Sequence, residues 1–83
     1  MIRTFESPAE ELLTILAEEC SELIQEIMKM KRKDHYASDL FIDEAADVLL
    51  MLQMARDMGL LNEDAIQSRF KVKREKLKKW SNL

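Results

Sequence analysis

Apolar residues recur every three or four positions from Leu12 onward. Leu12, Leu13, Leu16, Cys20, Leu23, Ile24 and Ile27 fall within an arc of about 120° at the helical spacing of 100° per residue. The pattern predicts an amphipathic helix, and Ser7-Pro8-Ala9-Glu10 supplies its start. Ser7 can cap, Pro8 suits the first helical position, and Glu10 completes a capping box. The helix is expected to run to about Met30, with the polar stretch 31–38 as the connection. A second helix is expected to begin near Ser38 or Asp39 and end at Met58, where Gly59 is a natural stop. Its middle is apolar nearly all round, through Phe41, Ile42, Ala45, Val48, Leu49, Leu50, Met51, Leu52 and Met54. Such a helix is normally buried on several sides. A third helix is expected from a cap at Asn62 to about Trp80, with a narrow apolar face of Ile66, Phe70, Leu77 and Trp80. The expected fold is all-α: three helices in a single domain over residues 1–83, forming a bundle that oligomerisation completes.

Size makes that oligomer more than a convenience. A chain of 83 residues buries only about 60% of its unfolded surface and often draws stability from disulfides, metals or partner subunits. Cys20 is the sole cysteine, so no internal disulfide can form, and a thiol on an apolar stripe reads as core in a reducing compartment. The longest stretch without a charge is residues 48–55, and no charged-then-apolar leader opens the sequence. A cytoplasmic protein with no membrane partner is therefore expected. Charge is segregated: residues 1–64 carry 15 acids against 6 bases, and residues 65–83 carry 7 bases against 1 acid. The acidic body argues against nucleic acid as a partner.

The acids themselves are unusually placed. Glu19, Glu22 and Glu26 share an arc of about 60° that flanks the apolar face of the first helix. On the second helix Glu44 and Asp47, one turn apart, lie within the stripe of Leu40, Met51, Met54 and Met58. Burying two like charges is costly, so something must compensate. One answer is an ion pair with Arg56, Lys73 or Arg74. The other is a divalent cation shared with Glu19 and Glu22, since facing helices build metal sites from inward-pointing acids in this way. An all-carboxylate donor set suits Mg²⁺ or Mn²⁺ and argues against zinc. His35 lies in the connection and reads as exposed and incidental. Arg69, Lys73 and Lys76 form one basic ridge on the third helix, where Lys73, between Phe70 and Leu77, is expected to point inward toward a phosphate.

Glu18-Glu19-Cys20-Ser21-Glu22, followed after 21 residues by Glu44-Ala45-Ala46-Asp47, resembles the paired EExxE and ExxD motifs of the MazG-like all-α nucleoside triphosphate pyrophosphatases. The similarity extends over roughly residues 10–79. It implies an oligomeric bundle, a homodimer or homotetramer, that hydrolyses nucleoside triphosphates to monophosphate and pyrophosphate with Mg²⁺. By motif, Glu19, Glu22, Glu44 and Asp47 would hold the metal, and Glu18 would assist a further metal or the attacking water. Arg69, Lys73 and Lys76 match the family's basic pattern on the next helix, with Lys73 where an Asn often stands. Two metals would clamp the phosphates and stabilise in-line attack, and the basic residues would offset charge on the leaving group.

Two alternatives remain open at this level. Phosphoribosyl-ATP pyrophosphatase belongs to the same superfamily and has a similar second motif, but its N-terminal segment is missing here. A non-catalytic helical dimer would instead bridge Glu44 and Asp47 to Lys73 and Arg74 and bind a partner through the third helix. The base is not legible: Phe5, Tyr36 and Trp80 could stack on one, but Phe5 reads as packing on the first helix, Tyr36 as loop decoration, and Trp80 as a seal at the end of the third helix.

Overall fold

A computed structural model describes residues 4–83, and among these it contains three α-helices and no strand. Helix α1 spans Pro8–Lys33, α2 spans Asp39–Asp57 and α3 spans Glu63–Trp80. The local chemistry of each boundary explains where it falls. The Ser7 side chain accepts from the Glu10 N–H at 3.1 Å and Pro8 occupies the first helical turn. Glu10 reaches back to the Glu6 N–H rather than to that of Ser7, so the expected capping box forms one residue out of step. Ser38 and Asn62 cap α2 and α3 by accepting from the N–H groups of Phe41 and Ala65.

Helix α1 runs one turn further than expected, to Lys33. Asp34 ends it in the left-handed region at φ 50°, and the His35 N–H returns to the Met30 carbonyl at 3.0 Å. A short polar side chain tolerates that conformation better than most, and Lys31, Arg32 and Lys33 complement the negative helix end. Gly59 performs the same task after α2 at φ 82°, with the Leu60 N–H bonded to the Ala55 carbonyl at 2.9 Å. A Cβ at Gly59 would meet nothing within 4 Å, so backbone angle, not space, requires glycine there.

Helices α1 and α2 pack as an antiparallel hairpin, while α3 diverges from it and makes only marginal contact. The buried side of α1 is displaced toward its acidic edge: Leu12, Met30 and Glu26 are buried, whereas Leu13 and Ile24 are more than half exposed. On α2 the inward positions are Phe41, Glu44, Val48, Met51 and Ala55. Ile42, Leu49 and Leu50, on its far side, are 53–64% exposed. The molecule measures 43 × 34 × 16 Å with a radius of gyration of 15.7 Å, against about 12 Å for a compact domain of this length. The bundle is thus open within one chain, and the several-sided burial expected for α2 is not reached there.

Replacing Gly59 by Ala should cost about 1–2 kcal/mol, the usual penalty for placing a Cβ in a left-handed conformation. Urea unfolding checks this, and an unchanged midpoint would mean that the turn relaxes to another form.

Candidate metal centre

The displacement of the α1 packing face brings acids, rather than aliphatic residues, to the middle of the hairpin. Glu19 on α1 and Glu44 on α2 are both half-buried, and Asp47 lies one turn beyond Glu44 at the exposed rim. Carboxylate oxygens from Glu19, Glu44 and Asp47 all lie within 4.8 Å of one another. Glu22 is close enough to share a hydrogen bond with Glu19 and with Glu44, which two carboxyl groups can do only when one is protonated. Of the four acids singled out from the sequence, three thus meet within one ligand's reach, and Glu22, itself exposed, lies beside them. Glu18 is exposed, about 100° around the helix from Glu19.

Among the described residues no ion pair compensates this convergence. Among the described residues the ion pairs of Arg56 go to Asp57 and Glu63, and that of Lys78 goes to Glu75. The Lys73 ammonium lies 5.1 Å from the centre of the Trp80 ring, and the Arg74 guanidinium 5.8 Å from that of Phe70. Within the single chain, Glu44 and Asp47 make no bridge to Lys73 or Arg74. Moreover, Glu19 Oε2 and Glu44 Oε2 are sealed from solvent and have no hydrogen-bond partner among the described residues. Loss of hydration raises the carboxyl pKa of Glu19 above its ordinary 4.5, and the charges of Glu22 and Asp47 raise it further. Loss of hydration also comes first for Glu44, followed by the hydrogen bond and charge of Glu22.

Two oxygens with stranded lone pairs, on opposite helices and beside a third carboxylate, fit a hard divalent cation. The donors are all oxygen, and incomplete protein ligation leaves positions for water or phosphate. No His or Cys joins the cluster: His35 is exposed, as expected, and Cys20 is half-buried on the apolar side.

The basic ridge did not land where the sequence placed it. Arg69, Lys73 and Lys76 are all exposed on α3, and Lys73 does not point into the acid cluster. The reason is physical: α3 has too few apolar residues to draw it onto the hairpin, and Phe70 and Trp80 remain 44% and 65% exposed. Trp80 consequently does not seal the end of α3 but carries the Lys73 ammonium on its face. One polar tie escaped the sequence reading. Glu26, only 7% exposed, accepts from the Ser38 hydroxyl at 2.9 Å while that hydroxyl caps α2. The sequence places Glu26 on the arc of Glu19 and Glu22 and starts the second helix near Ser38, but nothing in the pattern pairs the two.

An antiparallel helical hairpin with carboxylates meeting across its contact is the arrangement with which helical bundles can hold a divalent cation. The chain belongs to the MazG nucleotide pyrophosphohydrolase domain family, whose model matches residues 7–79. Comparison with curated proteins and with solved structures gave no significant match. No helix among the described residues is long and apolar enough to cross a membrane.

The raised pKa values fix a direction for pH dependence. In the unfolded chain these carboxyls titrate near 4.5, and in the folded chain they titrate higher. Between those values the native state holds more protons, so the contribution of these two carboxyls to stability is fully present below pH 4.5 and is lost as pH rises through the folded values. Without divalent metal, the Glu44→Gln variant should lose less stability than the wild type between pH 4.5 and neutrality. Thermal melts in chelator test this, and parallel curves for the two proteins would refute the strain assigned to Glu44.

Proposed function

We propose that this chain hydrolyses nucleoside triphosphates to the monophosphate and pyrophosphate, using Mg²⁺, or Mn²⁺ in its place, held by Glu19, Glu22, Glu44 and Asp47. The observation that carries the reading is the meeting of Glu19, Glu44 and Asp47 oxygens within 4.8 Å while two buried oxygens lack any partner. Membership of the MazG family supports the same reaction class. When bound, the cation supplies Lewis acidity and neutralises charge on the phosphoanhydride.

The chain's own residues then divide the work. Glu19 and Glu44 hold the cation from opposite helices, and the hairpin fixes their separation before substrate arrives, so little reorganisation is needed. Asp47 holds it from the open rim, where the triphosphate enters. Glu22, between Glu19 and Glu44, completes the set. Glu18, exposed on a neighbouring line of α1, assists a further metal or accepts a proton from the attacking water. Arg69, Lys73 and Lys76 offset charge on the departing pyrophosphate. No covalent nucleophile is needed, and Cys20 belongs to the packing.

Assembly is part of the same proposal. The exposed apolar face of α2, with Ile42, Leu49 and Leu50, is covered in a homodimer or homotetramer, and that assembly brings an α3 ridge to the phosphates. Exposed apolar faces of this extent mark interaction surfaces. The Leu50→Glu variant should sediment as a smaller species and melt at lower temperature; an unchanged sedimentation coefficient would remove α2 from the interface.

Glu44→Gln and Asp47→Asn should each reduce pyrophosphate release from a dNTP and NTP panel by about 10²-fold or more, the scale of losing a principal electrostatic contributor, with the circular dichroism spectrum unchanged. Wild-type turnover in either variant would end the ligand assignment. Lys73→Met should raise KM or lower kcat; unaltered kinetics would leave that lysine to Trp80 alone.

A further inference from the structure

The acid cluster is not the only feature on its face of α1. One turn beyond Glu22, where α1 gives way to α2, lies a cavity of about 240 Å³ lined by Glu26, Lys29, Met30, Lys33, His35 and Leu40, with Ser38 at its edge. Its wall is built rather than incidental. Glu26 is a carboxylate held at 7% exposure, and Met30 beside it is also 7% exposed. Ser38 donates to Glu26 Oε1 at 2.9 Å, and among the described residues no second donor bonds Glu26. The Ser38 tie fixes one oxygen of the carboxylate and leaves the other as an acceptor at the cavity wall. Met30 and Leu40 give apolar flanks, and Lys29 and Lys33 place donors one helical turn apart on the rim.

We propose that this elbow cavity is the base-binding subsite of the nucleotide, and that Glu26 selects nucleobases bearing an exocyclic amino group. The inference rests on the nucleotide reading of the acid cluster and adds a specificity-determining residue to it. Register supports it: Glu19 and Glu26 share one face of α1 and lie about 10 Å apart along the axis, comparable to the reach from phosphates to base edge in an extended nucleotide. Chemistry supplies the selectivity. An amino group projects beyond the ring and meets a recessed carboxylate oxygen directly. The imide N–H of uracil or thymine is flanked by two carbonyl oxygens, which would meet the carboxylate first and be repelled. The lysines on the rim supply donors for a ring nitrogen or carbonyl of an aminated base.

Glu26→Gln is the informative change, because its amide oxygen can still accept from Ser38 while the other atom turns from acceptor to donor. In the wild type, kcat/KM for dCTP, dATP and dGTP should exceed that for dTTP and dUTP by about tenfold or more, the scale of a charged hydrogen bond. In Glu26→Gln that ratio should collapse or invert through KM, with kcat for the favoured substrates little changed. Leu40→Trp, which fills the cavity from an exposed position, should raise KM for all five and serves if Glu26→Gln does not fold. Binding is read separately, without metal or turnover, by titrating dCMP and dUMP against the resonances of His35 and Met30: dCMP should shift them, dUMP should shift them less, and Leu40→Trp should abolish both. Hydrolysis with the same base ratio in wild type and Glu26→Gln would overturn the proposal and leave the pyrophosphohydrolase reading standing. Elbow shifts by dCMP without hydrolysis of any triphosphate would do the reverse. Absence of shifts, or equal shifts by both monophosphates, would also overturn it.

Discussion

Where α1 and α2 touch, the side chains that meet at the centre carry the same sign of charge. Glu19 and Glu44 approach from opposite helices, Asp47 meets them, Glu22 lies close enough to act on both, and two of the oxygens are shut off from solvent and accept no hydrogen bond from the described residues. Packing has to hold these groups together against their repulsion, and Leu12, Met30 and Ala55 supply the buried apolar contact that does so. The rest of the design follows from this constraint. The hairpin must be joined by a short, well-defined elbow, which the left-handed Asp34 and the Glu26–Ser38 hydrogen bond provide. The inward face of α1 must also rotate away from its most apolar line, leaving Leu13 and Ile24 outside.

That rotation connects the site to the openness of the chain. Aliphatic residues that an ordinary hairpin would bury are displaced from the contact by carboxylates, and α3 does not fold back to cover them. A slab 16 Å thick is little more than one to two helix layers, so nearly every side chain is at or near a surface. The acid cluster and the incomplete burial thus have one cause.

Much of this was legible in the residue pattern. Ser7 and Asn62 were readable as caps and Gly59 as a stop because capping is local chemistry, decided within a few residues. Glu44 and Asp47 stood out because acids on an apolar stripe need a reason. The orientation of α3 was not legible, since its apolar face is too narrow to dictate a docking partner, and Lys73 could be placed on a face but not against a neighbour. The extra turn of α1 was hidden because Lys31, Arg32 and Lys33 read as loop by polarity, although they suit a helix end by charge. The tie from Glu26 to Ser38 depends on how the elbow closes, a long-range fact that periodicity does not contain.

The pairing of Lys73 with Trp80 has an optical consequence. Trp80 is the only tryptophan in the chain, sits at the last turn of α3 and is 65% exposed beneath an ammonium group. Its ultraviolet emission therefore reports on one place alone, the tip of the helix that stands clear of the hairpin. A shift of that emission to shorter wavelength would register the moment this tip leaves water, with no dye or label added to the protein.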